Sequence, residues 1–383
     1  MKITKFFALL CAAAVGFVGC ETVNNPVKPE PAPEVKGSIT LEADKTTVQL
    51  GESVTFTATM KDAETGETTD VTSFVSIYDS ELNKISNPWT PSASGGYTFN
   101  ATYGAESSNY VKISVLAQMP EIPTDPDPSC LAFNHRVVLV DHTGANCPYC
   151  PQMTDKLIQL AATNYHNNYN EVTCHGNGGR LTQGDPANSN AAEMLGKYHA
   201  SVFGSFGMPT VCINFAGAMI ENTSAAVNNI KAALDKNVKK DGADVGIAMA
   251  IEGDNTNIYC AAQVKAKVTQ EYKVVAWLLE SGIYNKNQAG SSKDVHKIYN
   301  YAIRNISGKY DRTNVAGESI GVLEAGKTHD CAFQLPITST KWKYENMGVL
   351  VIVSAKDAQG RWEVANTAYC SLNDGQKSFE YIQ

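Results

Sequence analysis

Residues 137–151 read Val137-Val138-Leu139-Val140-Asp141-His142-Thr143-Gly144-Ala145-Asn146-Cys147-Pro148-Tyr149-Cys150-Pro151. Four aliphatic residues in a row mark a strand buried on both faces, since a half-exposed strand would alternate. Met153, Leu157, Leu160 or Ala161, and Tyr165 follow at helical spacing. A cysteine pair therefore stands between a buried strand and a helix. Cys-x-x-Cys by itself admits half of a zinc site, a redox pair or coincidence. Zinc wants two more Cys or His at short spacing, and Cys174-His175 is the one candidate completion. Adjacent Cys and His rarely ligate together, so no metal is expected, and His175 reads as a strand-end residue. At a helix entrance the backbone amides and dipole favour thiolate, which makes Cys147 the attacking sulfur. Cys150, one turn inward, is placed to resolve a mixed disulfide. Pro148 suits an early helical position, where its missing N–H is not needed.

Moving outward, Val172 to Cys174 suggests a second strand, residues 176 to 190 a Gly/Asn-rich loop, and Ala191 to Phe203 a helix. Val211 to Asn214 and Ala218 to Ile220 form two short strands, and Ser224 to Lys239 a last helix. The order is β-α-β, then helix, then β-β-α, an α/β layer arrangement over residues 130–241. On its N-terminal side, residues 38–117 alternate with period two: Ile39 and Leu41, Val48 and Leu50, Val54, Phe56 and Ala58, Tyr97, Phe99 and Ala101, then Val111, Ile113 and Val115. Short strands at this spacing read as an immunoglobulin-like β-sandwich without a cysteine. On its C-terminal side, residues 242–383 return to strands and read as a second, larger β-sandwich. There Cys260, Cys331 and Cys370 lie in phase with apolar neighbours and are expected as inward thiols; one disulfide among them stays open. Pro120, Pro123, Pro126 and Pro128 make residues 118–129 a stiff linker.

The start of the chain is a targeting segment. Lys2 and Lys5 precede an apolar run from Phe6 to Val18, shorter than the roughly 20 residues a spanning helix takes. Phe17-Val18-Gly19-Cys20 resembles a bacterial lipobox, which implies a signal peptide over 1–19 and Cys20 as the lipid anchor. Four prolines between Pro26 and Pro33 then make residues 20–37 an extended tether. Export permits disulfides for the eight cysteines left once Cys11 and Cys20 are set aside. The net charge is −8, and loss of Lys2 and Lys5 leaves the mature chain at about −10. With no basic stripe, nucleic acid is not an expected partner.

Three features resemble thioredoxin-fold oxidoreductases over roughly residues 135 to 240. Asp141 stands six residues before Cys147, as does the buried acid that relays a proton to the inner cysteine in that family. Phe203-Gly204-Ser205-Phe206-Gly207-Met208-Pro209-Thr210 looks like its cis-proline segment, which implies that Pro209 faces the pair and that the Met208 backbone meets substrate chain. Pro148-Tyr149 is the glutaredoxin dipeptide. Asn146 departs from the Trp usual before the first cysteine, and residues 176 to 190 are an insertion. The assembly also resembles the twenty-eight-kilodalton outer-membrane protein family of Bacteroidetes. The leader, the phrase Val-Leu-Val-Asp-His-Thr-Gly-x-x-Cys-x-x-Cys-Pro, His296-Lys297-Ile298-Tyr299-Asn300 and Ile303-Arg304 carry that likeness. It implies a lipid-anchored protein of the outer membrane.

Two functions follow. In one, Cys147, Cys150, Asp141 and Pro209 carry thiol–disulfide exchange on envelope proteins, with Pro148, Tyr149 and Met208 meeting the substrate and an unidentified redox partner. In the other, a binding or adhesion lipoprotein uses the same layer as a scaffold without turnover. Neither requires a cofactor.

Overall fold

The computed structural model describes residues 37–116 and 119–382. The leader, Cys20 and the tether up to residue 36 lie outside the described residues. No helix among the described residues is long and apolar enough to cross a membrane. The chain divides into two units, residues 1–117 and 118–383.

In the first unit two sheets enclose one core. Gly37–Ala43, Phe56–Asp62 and Thr68–Asp70 form one sheet; Thr47–Gln49, Val111–Leu116, Gly95–Tyr103 and Ser76–Asp79 form the other. Alternation does the sorting: Phe56, Ala58 and Met60 are buried while Thr57 and Lys61 face out. Phe56, Trp89 and Phe99 meet edge to face at the centre, with ring centroids 4.7 to 5.1 Å apart. Leu50, in phase with Val48, is nevertheless exposed. The strand stops at Gln49, and the chain turns at Gly51 with φ of +84°.

In the second unit the expected β-α-β-α-β-β-α order is present. The strands are Val137–His142, Tyr169–Cys174, Thr210–Ile213 and Ala218–Glu221; the helices are α1 (Cys150–Ala161), α2 (Asn190–Phe203) and α3 (Ala226–Asn237). Val137–His142 pairs in parallel with Tyr169–Cys174 and antiparallel with Thr210–Ile213, which pairs with Ala218–Glu221. All six residues of Val137–His142 are buried, as four consecutive aliphatics require. Val137 and Leu139 pack on Met153, Leu157 and Leu160 of α1 and on Ile230 and Leu234 of α3. Val138 and Val140 pack on Ala191, Ala192 and Leu195 of α2. Buried side chains of this size contribute about 1.5–3 kcal/mol each.

This layer does not end at residue 241. Its sheet continues through Ala302–Ile306, Gln270–Glu280, Met347–Lys356 and Trp362–Ser371, with Glu318–Leu323 also paired to Gln270–Glu280, so one nine-stranded sheet runs across the boundary expected from sequence. The join is one parallel residue pair, Thr173 with Ala302, reinforced by the Thr173 N–H donating to Tyr301 O at 2.9 Å and the Thr173 hydroxyl donating to Asn300 O at 2.8 Å. Ser189 caps α2 by accepting from Ala192 N and donates its own hydroxyl to Ile303 O, tying the helix to the same strand. Buried Arg304 donates to Glu280 at 2.7 Å and to the carbonyl of Pro186. The far half of the sheet faces a four-stranded one, Thr328–Pro336, Asn257–Ala266, Val245–Gly253 and Gln376–Lys377, over a core of Tyr272, Met249 and Val351. Cys260 and Cys370 are buried there and Cys331 partly so, all three as free thiols.

Candidate functional site

The cysteine pair sits where the buried strand gives out. Cys147 and Cys150 form a disulfide with Cα atoms 5.4 Å apart. Helix α1 begins at Cys150, with Tyr149 as its cap residue, so Cys147 precedes the helix. Pro148 consequently lies outside it, and Pro151 takes the early helical position expected for Pro148. The turn is closed by the Cys150 N–H, 3.4 Å from Cys147 O.

Pro148 and Tyr149 face solvent, Tyr149 with 62% exposure, while Cys147 and Cys150 are only 1% and 2% exposed beneath them. Two distant segments cover the pair. From the Gly/Asn-rich loop, Leu181 O accepts from Asn146 N at 2.9 Å, and Asp185 accepts from Ala145 N at 2.7 Å. Asn146, the departure from Trp, thus serves the loop: its amide also donates to the carbonyls of Arg180 and Gln183. From the C-terminal half comes a strap, residues 285–299. Ala289 N donates to Ala145 O at 2.8 Å, and the buried Gln288 amide to the carbonyls of Cys147 and Gly144. Gly290 has φ of +67°, and a Cβ there would lie 2.0 Å from Pro148 O. Lys293 and His296 hold the strap to Asp155 of α1 at 2.7 and 3.0 Å, and Tyr299 donates to Gln288 at 2.6 Å.

Beside Cys150 lies a cavity of about 160 Å³, lined also by Asp141, Glu171, His175 and Tyr299. Asp141 is 3% exposed and its Oδ1 has no hydrogen-bond partner. Burial, with the Glu171 charge adding to it, holds its carboxyl well above the usual carboxylate range. Burial alone pushes Glu171 up to about 7. His175 donates from Nδ1 to Asp185 at 2.8 Å, and the neighbouring His175 charge and hydrogen bond bring Asp185 below its ordinary value against the opposing cost of burial. Met208–Pro209 is a cis bond, and Thr210 immediately after it pairs with His142 at the end of the strand leading to Cys147. The Met208 side chain reaches Gly178, where a Cβ would come within 2.8 Å of it.

On the opposite face of that strand His142, His199 and Cys212 cluster, fully buried. His199 Nε2 lies 3.2 Å from Asn214 O and can only donate to it. Its Nδ1 therefore accepts from His142 Nε2, 2.9 Å away. With centroids 5.0 Å apart, the two rings point their nitrogens at each other, whereas a shared ion would need both lone pairs to converge on a third point. Burial lowers both imidazoles, His199 to about 4.

Residues 197–372 match the model of a family described as outer membrane protein Omp28. That match supports an outer-membrane or envelope location. It begins within α2, downstream of the cysteine pair. No curated protein matches the chain. Among solved structures, HBP35 of Porphyromonas gingivalis is similar at 16% identity, over 66% of this chain and 79% of that one, with a TM-score of 0.49. The adhesin InvE of Yersinia pseudotuberculosis is similar at 9% identity, over 89% of this chain and 58% of that one, with a TM-score of 0.18. Likenesses this distant carry no conclusion about activity.

The sequence picked out Asp141, Cys147, Cys150, Met208 and Pro209. Glu171, Asp185, Gln288 and Gly290 went unnoticed, and His175 and His296 to Asn300 were noticed for other reasons. Their one signal was composition: a Gly/Asn-rich loop and a run of polar and aromatic residues inside an otherwise β-patterned half.

Proposed function

We propose that this chain is a lipid-anchored protein of the outer membrane whose thioredoxin-like layer, residues 130–241, is a binding scaffold, with Cys147–Cys150 as a fixed strut. The strand order and the cis bond before Pro209 support the thioredoxin-like reading, and the match of residues 197–372 supports the location. One observation carries the strut reading: both cysteines are almost fully buried, with Gln288 bonded to the Cys147 carbonyl and Gly290 packed on that of Pro148. A thiolate that must attack a protein disulfide needs access along the sulfur axis.

A second reading is thiol–disulfide exchange, which the unpartnered Asp141 Oδ1 beside Cys150 favours. There the Cys147 thiolate attacks a substrate disulfide and releases one substrate thiolate; Cys150 then displaces the second, leaving the protein oxidised and the substrate reduced. Trapping separates the two. A Cys150→Ser variant in its own envelope should accumulate no mixed disulfides on Cys147, and the purified chain should not reduce insulin. Mixed disulfides or insulin reduction would overturn the strut.

A further inference from the structure

We propose that the cavity behind the Cys147–Cys150 bond binds a primary ammonium on an unbranched aliphatic stem, carried by a free alkylamine or by a lysine side chain. The proposal rests on the scaffold reading above and names what that scaffold holds.

The floor of the cavity comes from two parallel strands. Asp141 lies across from Thr173, and Glu171 is two residues back on the same face. Helix α1 forms one wall, with Thr154, Leu157 and Ile158; the end of the strap forms the other. Hydrogen-bond bookkeeping at these walls is one-sided. The Asp141 Oδ1 has no partner. The His175 Nε2 also has no partner. Glu171 adds a second carboxyl. Several lining donors are committed elsewhere: the Gln288 amide to backbone carbonyls, Tyr299 to Gln288, Thr173 to Asn300, Thr154 to Cys150 and His296 to Asp155. Two facing carboxyls, one with an oxygen that has no partner, suit a ligand that brings donors, and an ammonium brings three. An anion would face two carboxyls.

The mouth has the opposite character. Ile158, Val295, Ile298 and Tyr301 are all exposed large apolar side chains, and all four line this one cavity. A polar end inside and an apolar rim outside match a cation on a hydrocarbon stem. The volume, about 160 Å³, is that of cavities that admit a six-carbon molecule. The groups facing the carboxyls complete the charge picture. His175 is tied to Asp185, and His296 and Lys293 to Asp155; Arg136, near Glu171 at the outer edge, is tied to Glu380. Tyr169 and Tyr299 have phenols raised by burial and stay neutral. No cation is therefore spent on Asp141 or Glu171 among the described residues.

The test is calorimetric titration of the full chain with n-pentylamine and, separately, with an Nα-acetylated lysine amide. Saturable binding of one equivalent is expected, about tenfold tighter near pH 8 than near pH 6, because Glu171 at about 7 must be ionised. Glu171→Gln and Asp141→Asn should each weaken it by about tenfold or more. Thr154→Leu, which keeps both acids and fills the space, should do the same, and thermal melts show that each variant is folded. Comparable binding of the lysine compound assigns the site to a side chain; binding of pentylamine alone assigns it to free amines. Absence of binding by both, equal binding of n-pentanol, or unchanged affinity in the folded acid variants would overturn the proposal. Failure here with Cys147 still inert removes this proposal alone, while turnover at Cys147 with amine binding intact removes the scaffold reading alone.

Discussion

Asp141 opposes the stability of the fold it belongs to. Its carboxyl is raised by burial, so between the unfolded value of about 3.9 and the higher folded one the native state holds a proton the unfolded chain has lost. Stability contributed this way is complete below about pH 4 and is lost as pH rises through the folded value. Asp141→Asn removes the ionisable group and should raise the unfolding free energy near pH 8 by about 1–3 kcal/mol, read by denaturant titration, while the two proteins converge near pH 4. His142 and His199 act in the opposite sense. Both are buried neutral, so their contribution is present above the unfolded value of about 6.5 and is lost as pH falls below it. The acid loss of stability should therefore be steeper in the Asn variant, which lacks the opposing Asp141 contribution. Asp141 was legible because an acid at the end of an all-aliphatic strand is conspicuous. Glu171 was not, since one acid in a short alternating strand reads as solvent-facing until α1 and the strap are seen above it.

At the scale of elements, the strap is the part no local pattern announces. Its residues touch Ala145, Cys147 and Pro148 from about 140 positions away, through backbone carbonyls and a glycine rather than through periodic apolar side chains. Helices α1, α2 and α3 and the strand Val137–His142 were readable because each buries a face, and burial leaves a period in the sequence. Pro148 and Pro151 compete for the same role, and only the position of the helix cap separates them. Gly290→Ala tests the strap directly. The added methyl meets Pro148 O and a positive φ at once, so the strap must lift. A stability loss of about 1–3 kcal/mol and faster reduction of the Cys147–Cys150 bond by dithiothreitol are expected; an unchanged reduction rate would mean that something else shields the sulfurs.

At the scale of the molecule, the continuous sheet makes residues 130–241 a dependent part. The strand Tyr169–Cys174 uses Ala302–Ile306 as its neighbour, and Val138, Val140 and α2 share a buried cluster with Trp277, Leu279 and Ile303. A fragment of residues 119–241 exposes that edge and that apolar face. It should give poorly dispersed amide spectra and no cooperative melt, whereas residues 119–383 should give both. The sequence hid this dependence for a plain reason. Strands on either side of residue 241 look equally self-sufficient, and a junction made of one parallel residue pair leaves no pattern of its own.

The strap also sets a clock. Cys147 and Cys150 are three residues apart and emerge together as the chain is made, whereas Gln288 and Gly290 follow about 140 residues later. An oxidant therefore has freer access to the pair on an unfinished chain, before the C-terminal half has arrived to close over it. Once that half docks, any change in the oxidation state of the pair has to wait for the strap to lift.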